Sequence, residues 1–108
     1  MSGITNDKTK QSSDQDIHLG EQSKMVIVAN PQGLHARPVM KFVDIARQFQ
    51  AQVKVCKNKQ CVDGKNPMEM MLLEATQGTE LELLADGPDA DQALDRLAQL
   101  IQDGFGEQ

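Results

Sequence analysis

The chain has 108 residues, a net charge of −5 and 39% hydrophobic residues, with three Phe, no Trp and no Tyr. That length accommodates one domain with a modest aliphatic core. The negative charge, without a basic cluster or stacking aromatics, argues against nucleic acid as a ligand. No apolar run approaches the ~20 residues that cross a bilayer, and no charged-then-apolar leader opens the chain, so a cytoplasmic location is expected. The charge is uneven: residues 24–65 hold eight Lys/Arg and two Asp, whereas residues 66–108 hold one Arg and ten Asp/Glu.

Residues 1–23 are polar, with Ile4, Ile17 and Leu19 isolated, and are expected to form a flexible tail too apolar-poor to order itself. His18 belongs to it and is given no role. Residues 24–108 are expected to form the domain. Met25 to Ala29 is a short β-branched run and predicts a strand. A loop from Pro31 to Leu34 follows, then a helix from Pro38 to about Phe49, with Val39, Phe42, Val43, Ala46 and Phe49 on its apolar stripe. Val53 and Val55 mark a second strand, Asn58-Lys59 a two-residue hairpin turn, and Val62 a third strand. In this register Cys56 faces Cys61 on the side opposite Val55 and Val62. Two free thiols are the default in a reducing cytoplasm, with a redox-sensitive pair as the alternative. The spacing of these cysteines is not by itself a zinc pattern.

Asn66-Pro67-Met68-Glu69 opens a short helix to about Ala75, with Asn at N-cap and Pro at N1, and with Met68, Met71, Leu72 and Ala75 on one face. Thr79 to Ala85 alternates as a fourth strand. Asp89 to Gln102 is the last helix, with Ala90, Ala93, Leu94, Leu97 and Ile101 inward. The order is β-α-β-β-α-β-α. An α+β fold, with a four-stranded antiparallel sheet carrying three helices on one face, buries every apolar face.

The chemistry concentrates in Gly33-Leu34-His35-Ala36-Arg37-Pro38. Placing Pro38 at the first helical position puts His35 where the unpaired N–H groups of a helix start collect, a ready anion site. Arg37 adds a planar fork suited to phosphate oxygens. A histidine before a helix can also be a cap or a plain surface residue. Here three features converge on one phosphate-sized place, which suggests a histidine that itself carries phosphate. No Walker A loop, G-x-G-x-x-G, His-Glu-x-x-His or nucleophile elbow offers a competing enzymatic reading.

The stretch from Asn30 through Pro38 resembles the active-site signature of the HPr family, the histidine phosphocarriers of the bacterial phosphotransferase system. The likeness extends over about residues 24–106, including Val62 to Met68, the Gln77-Gly78 turn and the acidic start of the last helix. Met40-Lys41, Gly87-Pro88 and Gly104-Phe105 are similar to the nitrogen-related branch. The resemblance implies an HPr-like open-faced β-sandwich. It also implies a phosphoryl group accepted on His35 from a phosphoenolpyruvate-dependent Enzyme I and passed to an IIA-type acceptor in sugar uptake or its regulation.

In that reading the neutral imidazole attacks through Nδ1. The N–H groups of Ala36 and Arg37, with the Arg37 side chain, stabilise the transferring charge. Gln32, Gly33 and Pro38 support the loop. Lys41, Arg47, Lys65, Pro67 and Met68 are expected to meet the partners, with Met71 in the core. The family's regulatory serine aligns on Asn66, which has no hydroxyl to phosphorylate. Asp44 and Glu69 stand where many sugar-branch members carry lysine, which weakens the basic collar. No cofactor, no metal, no membrane insertion and a monomer are expected. The alternative is a regulatory docking module whose phosphorylation state controls a target protein.

Overall fold

Alternating burial builds the strands and three apolar stripes build the helices in the computed structural model, which describes residues 20–107. The elements are β1 (Gln22–Ile27), α1 (Ala36–Ala46), β2 (Gln52–Lys57), β3 (Gln60–Asp63), α2 (Pro67–Met71), β4 (Glu80–Asp86) and α3 (Ala90–Gln102), followed by a 3-10 turn at Gly104–Gly106. The strands form one antiparallel sheet in the order β1-β4-β2-β3. The expected order of elements and the open-faced α+β architecture are therefore what the chain adopts. The segment 1–19, most of the proposed tail, lies outside the described residues.

The register carries the pleat through the sheet. Val26 pairs with Leu81, Val55 with both Leu83 and Val62, and Val53 with Ala85. All of these are buried, because side chains two apart on a strand share a face. Over this face lie α1, with Val39, Phe42, Val43 and Ala46 inward, and α3, with Ala90, Ala93, Leu94, Leu97, Ala98 and Ile101 inward. Among the described residues no helix covers the opposite face, and there Met25 and Ile27 stay exposed.

Several boundaries differ from the sequence expectation. β1 begins at Gln22 and ends at Ile27, since Lys24 to Ile27 pair with Leu83 to Glu80 while Val28 leaves the ladder to bond Thr79. Helix α1 starts at Ala36 and stops at Ala46. The amides of Gln48 and Phe49 bond the carbonyls of Ile45 and Ala46, three residues back. The chain thus tightens and leaves the helix, as helix ends commonly do. Phe49 lies beyond it, partly exposed.

Helix α2 is shorter still, and its phase differs from the expected one. Met70 and Leu73 are buried, while Met68, Met71 and Leu72 face solvent. Met71 is 41% exposed and is not a core residue. The cap explains the phase. Asn66 accepts the Glu69 amide at 3.2 Å, and Glu69 reaches back to the Asp63 amide at 3.0 Å. This reciprocal bonding, a variant of the capping box, rotates α2 so that Met70 points inward.

The hairpin turn lies at Asn58-Lys59 as expected, with Asn58 at φ 57°, a left-handed conformation that Asn tolerates. It places Cys56 opposite Cys61, with Cα atoms 4.0 Å apart, and the two are joined in a disulfide rather than held as thiols.

Asp89 links the two ends of the molecule. It is the N-cap of α3, but its carboxylate turns away and accepts the amides of Gln50 at 2.9 Å and Ala51 at 2.8 Å, just ahead of β2. Gly87 permits this approach, since a Cβ there would stand 2.7 Å from the Ala51 Cα.

The Gln50 amide, with help from Ala51 and Lys65, holds the Asp89 carboxyl below its ordinary value against a smaller opposing cost of desolvation. A depressed carboxyl adds stability above its unfolded pKa and loses it as pH falls through the folded value. Asp89→Ala should therefore lower the urea midpoint at neutral pH, and the difference from the parent should shrink as pH falls below about 4. Denaturation curves across pH read both effects.

Candidate functional site

The loop ahead of α1 is shaped by three main-chain contacts. The Gly33 amide bonds the Asn30 carbonyl at 3.1 Å, the Leu34 amide bonds the Ala75 carbonyl at 2.9 Å, and the His35 amide bonds the Gly33 carbonyl at 3.0 Å. Gly33 sits at φ +69°, packed on the segment Ala75-Thr76, and a Cβ there would lie 2.9 Å from the Thr76 Cα. Only glycine fits, both in conformation and in space. Leu34 is buried and anchors the loop.

His35 is the N-cap of α1, in extended conformation, and its side chain makes no capping bond. Pro38 consequently lies in the third helical position rather than the first, as the sequence suggested. The shift has a chemical consequence. A helix start leaves four amides without intrahelical partners. Here the His35 amide is taken by Gly33 and Pro38 has none to offer. The amides of Ala36 and Arg37 remain, with no hydrogen-bond partner among the described residues. No acidic residue lies in the first turn to offset the helix dipole. Two free amides beside an imidazole at the positive end of an eleven-residue helix form a place for an anion.

These groups open onto a depression of about 920 Å³ whose lining includes Gln32, His35, Ala36, Arg37, Met40, Lys41, Asp44 and Glu107. The His35 side chain is 39% exposed. Arg37 is exposed, and its guanidinium has no hydrogen bond or ion pair among the described residues, so it is free to turn toward an anion.

The C-terminal turn completes the site, and sequence reasoning missed it. Gly104, Phe105 and Gly106 all have left-handed φ, at 65°, 59° and 75°. Phe105 is buried in the core, and this anchors the turn despite the unfavourable conformation of a non-glycine residue. Lys41 Nζ donates to the Phe105 carbonyl at 2.8 Å. Glu107 is thereby brought to His35, with its Oε1 3.3 Å from Nε2, and also accepts from Asn30 Nδ2 at 3.2 Å. Asn30 is buried, and the same Nδ2 holds the Gly33 carbonyl at 2.8 Å. Burial pushes the Glu107 carboxyl up, but the hydrogen bonds from His35 and Asn30 and the charges of His35 and Lys41 together outweigh it and hold it below the ordinary value. The available signal was a lone Phe between two glycines after the last helix, a composition suited to a tight turn with one buried anchor.

The other expected site residues divide into two groups. Gln32, Gly33, Ala36, Arg37, Pro38 and Lys41 gather around His35. Arg47 and Lys65 do not line the depression. They tie the far end of α1 to the start of α2, with Arg47 donating to the Lys65 carbonyl at 3.1 Å and Lys65 Nζ to the Phe49 carbonyl at 2.8 Å. Pro67 and Met68 lie at that start, and Met68 is 79% exposed. Among the described residues no cluster of three His, Cys, Asp or Glu could hold a metal ion.

Comparison with known proteins gives a consistent picture. The family described as the PTS HPr component phosphorylation site matches residues 22–103. The phosphocarrier protein HPr of Pseudomonas aeruginosa is 43% identical over 83 residues, covering 76% of this chain and 92% of that protein. HPr of Neisseria meningitidis serogroup A is 45% identical over 80 residues, covering 74% and 90%. The solved structure of HPr-C-His from Thermoanaerobacter tengcongensis superposes with a TM-score of 0.78 at 37% identity, covering 81% of this chain and 98% of that one.

Gly33 tests how far the loop depends on one backbone step. Gly33→Ala should cost more than ~1 kcal/mol of stability, because the left-handed φ disfavours any side chain and the Cβ collides with main chain. Urea denaturation of the two proteins measures it, and an unchanged midpoint would remove the packing argument.

Proposed function

The chain belongs to the HPr family of phosphotransferase-system phosphocarriers, and from that premise we propose that His35 is the residue that carries the phosphoryl group. The donor is a phosphorylated Enzyme I-like protein charged by phosphoenolpyruvate, and the acceptor is an IIA-like domain. The observation that carries this reading is the pair of unpaired amides, of Ala36 and Arg37, beside the imidazole at the start of α1.

The transfer needs little from the chain beyond placement. The neutral His35 ring attacks phosphorus through Nδ1. A bond from phosphorus to Nδ1 forms as the bond to the donor's nitrogen breaks, and the donor ring keeps that electron pair. The phosphoryl oxygens carry negative charge throughout, so preorganised donors at this point stabilise the transition state. The Ala36 and Arg37 amides supply two such donors, and the free Arg37 guanidinium supplies a third group that can close over the oxygens. The reverse of this step, with a different partner, discharges the carrier.

The partner surface is proposed around the same depression. Met40, Met68, Met71 and Leu72 are exposed apolar side chains on α1 and around α2, and a cluster of this kind on a small protein favours protein contact. Lys41, Arg47 and Lys65 each spend a donor on a main-chain carbonyl, which leaves Arg37 as the cation at the depression without a protein partner among the described residues. Asp44 adds negative charge to the lining. We therefore expect partners with a less acidic docking face than a fully basic collar would select. Asn66 carries no hydroxyl, and its oxygen caps α2, so regulatory serine phosphorylation is not expected there. A cytoplasmic, monomeric carrier fits this role, and among the described residues no helix is long and apolar enough to cross a membrane.

Incubation with phosphoenolpyruvate and a bacterial Enzyme I should add one acid-labile phosphate, read by intact mass. His35→Ala should abolish it with the fold intact, and phosphate persisting on that variant would refute the assignment. Arg37→Ala should keep the site but slow acceptance by about 10²-fold, the cost typical of removing one charge-stabilising donor. An unchanged rate would remove Arg37 from the transfer.

A further inference from the structure

The bond between Cys56 and Cys61 has no part in the transfer chemistry, and the fold gives it little to hold. The two residues face each other one pair in from the Asn58-Lys59 turn, with Cα atoms 4.0 Å apart. The pairs on either side, Val55 with Val62 and Lys57 with Gln60, already join the two strands. The cysteines are five positions apart, so the link closes a short loop and restricts the unfolded chain less than a long-range link would.

The two sulfurs are unequally placed. Among the described residues no helix covers their face of the sheet, and β3 is the outer strand. Cys61 on β3 is exposed, whereas Cys56 on the inner strand β2 is 3% exposed. Thiol–disulfide exchange runs by attack of a thiolate on the sulfur it can reach. We propose that Cys56 and Cys61 form a reversible dithiol–disulfide switch, entered by small thiols and disulfides through the exposed sulfur of Cys61, whose closure steadies the start of α2.

In reduction an external thiolate attacks Sγ of Cys61. The S–S bond breaks, its electron pair goes to Sγ of Cys56, and that thiolate takes up a proton. A second external thiolate attacks the external sulfur of the mixed disulfide and frees Cys61, which is protonated in turn. Two external thiols become one disulfide, and the pair gains two electrons and two protons. Oxidation by an external disulfide runs the same steps in reverse.

The state of the pair reaches α2 through Asp63, two residues beyond Cys61. The Asp63 carbonyl accepts the Asn66 amide at 3.1 Å, its carboxylate accepts the Lys65 amide at 2.9 Å, and its amide donates to Glu69 at 3.0 Å. Closing the disulfide fixes the strand that presents Asp63, and with it the capping bonds of α2. That α2 belongs to a partner surface rests on the carrier reading; the thiol chemistry does not.

The parent protein, equilibrated with glutathione, alkylated and weighed intact, should show two thiols in reduced glutathione and none in glutathione disulfide, folded in both states. A bond that survives reduced glutathione, thiols that stay free in glutathione disulfide, or unfolding on reduction would overturn the switch. In glutathione disulfide, Cys56→Ala should capture one glutathione on Cys61, and Cys61→Ala should react on Cys56 at least about tenfold more slowly, since a buried thiol is inert. Equal rates would overturn entry through Cys61. In the parent, the amides of Asp63 and Glu69 should exchange with solvent deuterium about tenfold faster once the pair is reduced, within the range for loss of a short-loop link. Equal exchange in the two states would overturn the coupling to α2. None of these readouts needs phosphate on His35, so failure of the carrier reading would be seen separately.

Discussion

Two main-chain amides, of Ala36 and Arg37, have no partner among the described residues, and much of the fold around them serves to keep them so. A cap side chain at position 35 would ordinarily fold back onto the helix and occupy one of them. His35 instead points its ring outward and makes no such bond. Pro38 removes a third donor, and the lack of an acid in the first turn leaves the dipole uncompensated. The loop that makes this possible is rigid because Gly33 can lie against Ala75-Thr76 where no other residue fits. The site is thus a matter of what the backbone withholds from itself.

The same site is assembled from parts distant in the chain. The loop comes from residues 30–35, its floor from the segment before β4, and its acidic neighbour from the last described residue. Asn30 is the joint: one buried amide nitrogen serves both Gly33 and Glu107. Lys41, which by position could have reached toward a partner, instead secures the turn that delivers Glu107. The uneven distribution of charge along the chain is therefore partly cancelled by the fold, since an acid from the negative half is carried to the histidine in the basic half.

Away from the site, similar side-chain-to-backbone bonds tie elements together around the apolar core. Asp89 gives up capping its own helix to join the α1–β2 connection, and Lys65 and Arg47 close the far end of α1 onto the chain leading into α2. Such bonds involve a charged group and a fixed main-chain partner, which makes them stronger than neutral ones. They fix the orientation of α1, and with it the direction in which the free amides point.

The element order, the sheet-and-helix layering, the hairpin at Asn58-Lys59 that pairs Cys56 with Cys61, and the place of the loop around His35 at a helix start were legible in the sequence. These follow from local rules: period-two and period-3.6 burial, the conformational needs of Gly and Asn, and the affinity of a helix start for anions. The phase of α2 was beyond those rules. Five residues hold too little periodicity to separate Met70 from Met71, and the bonding among Asp63, Asn66 and Glu69 made the choice. The end of α1 and the depth of Pro38 within it depended on where neighbouring loops took up the amides. Glu107 was the furthest from view, because 72 residues separate it from His35. Only the burial of Phe105 and the clamp from Lys41, both products of tertiary packing, bring its carboxylate to the ring.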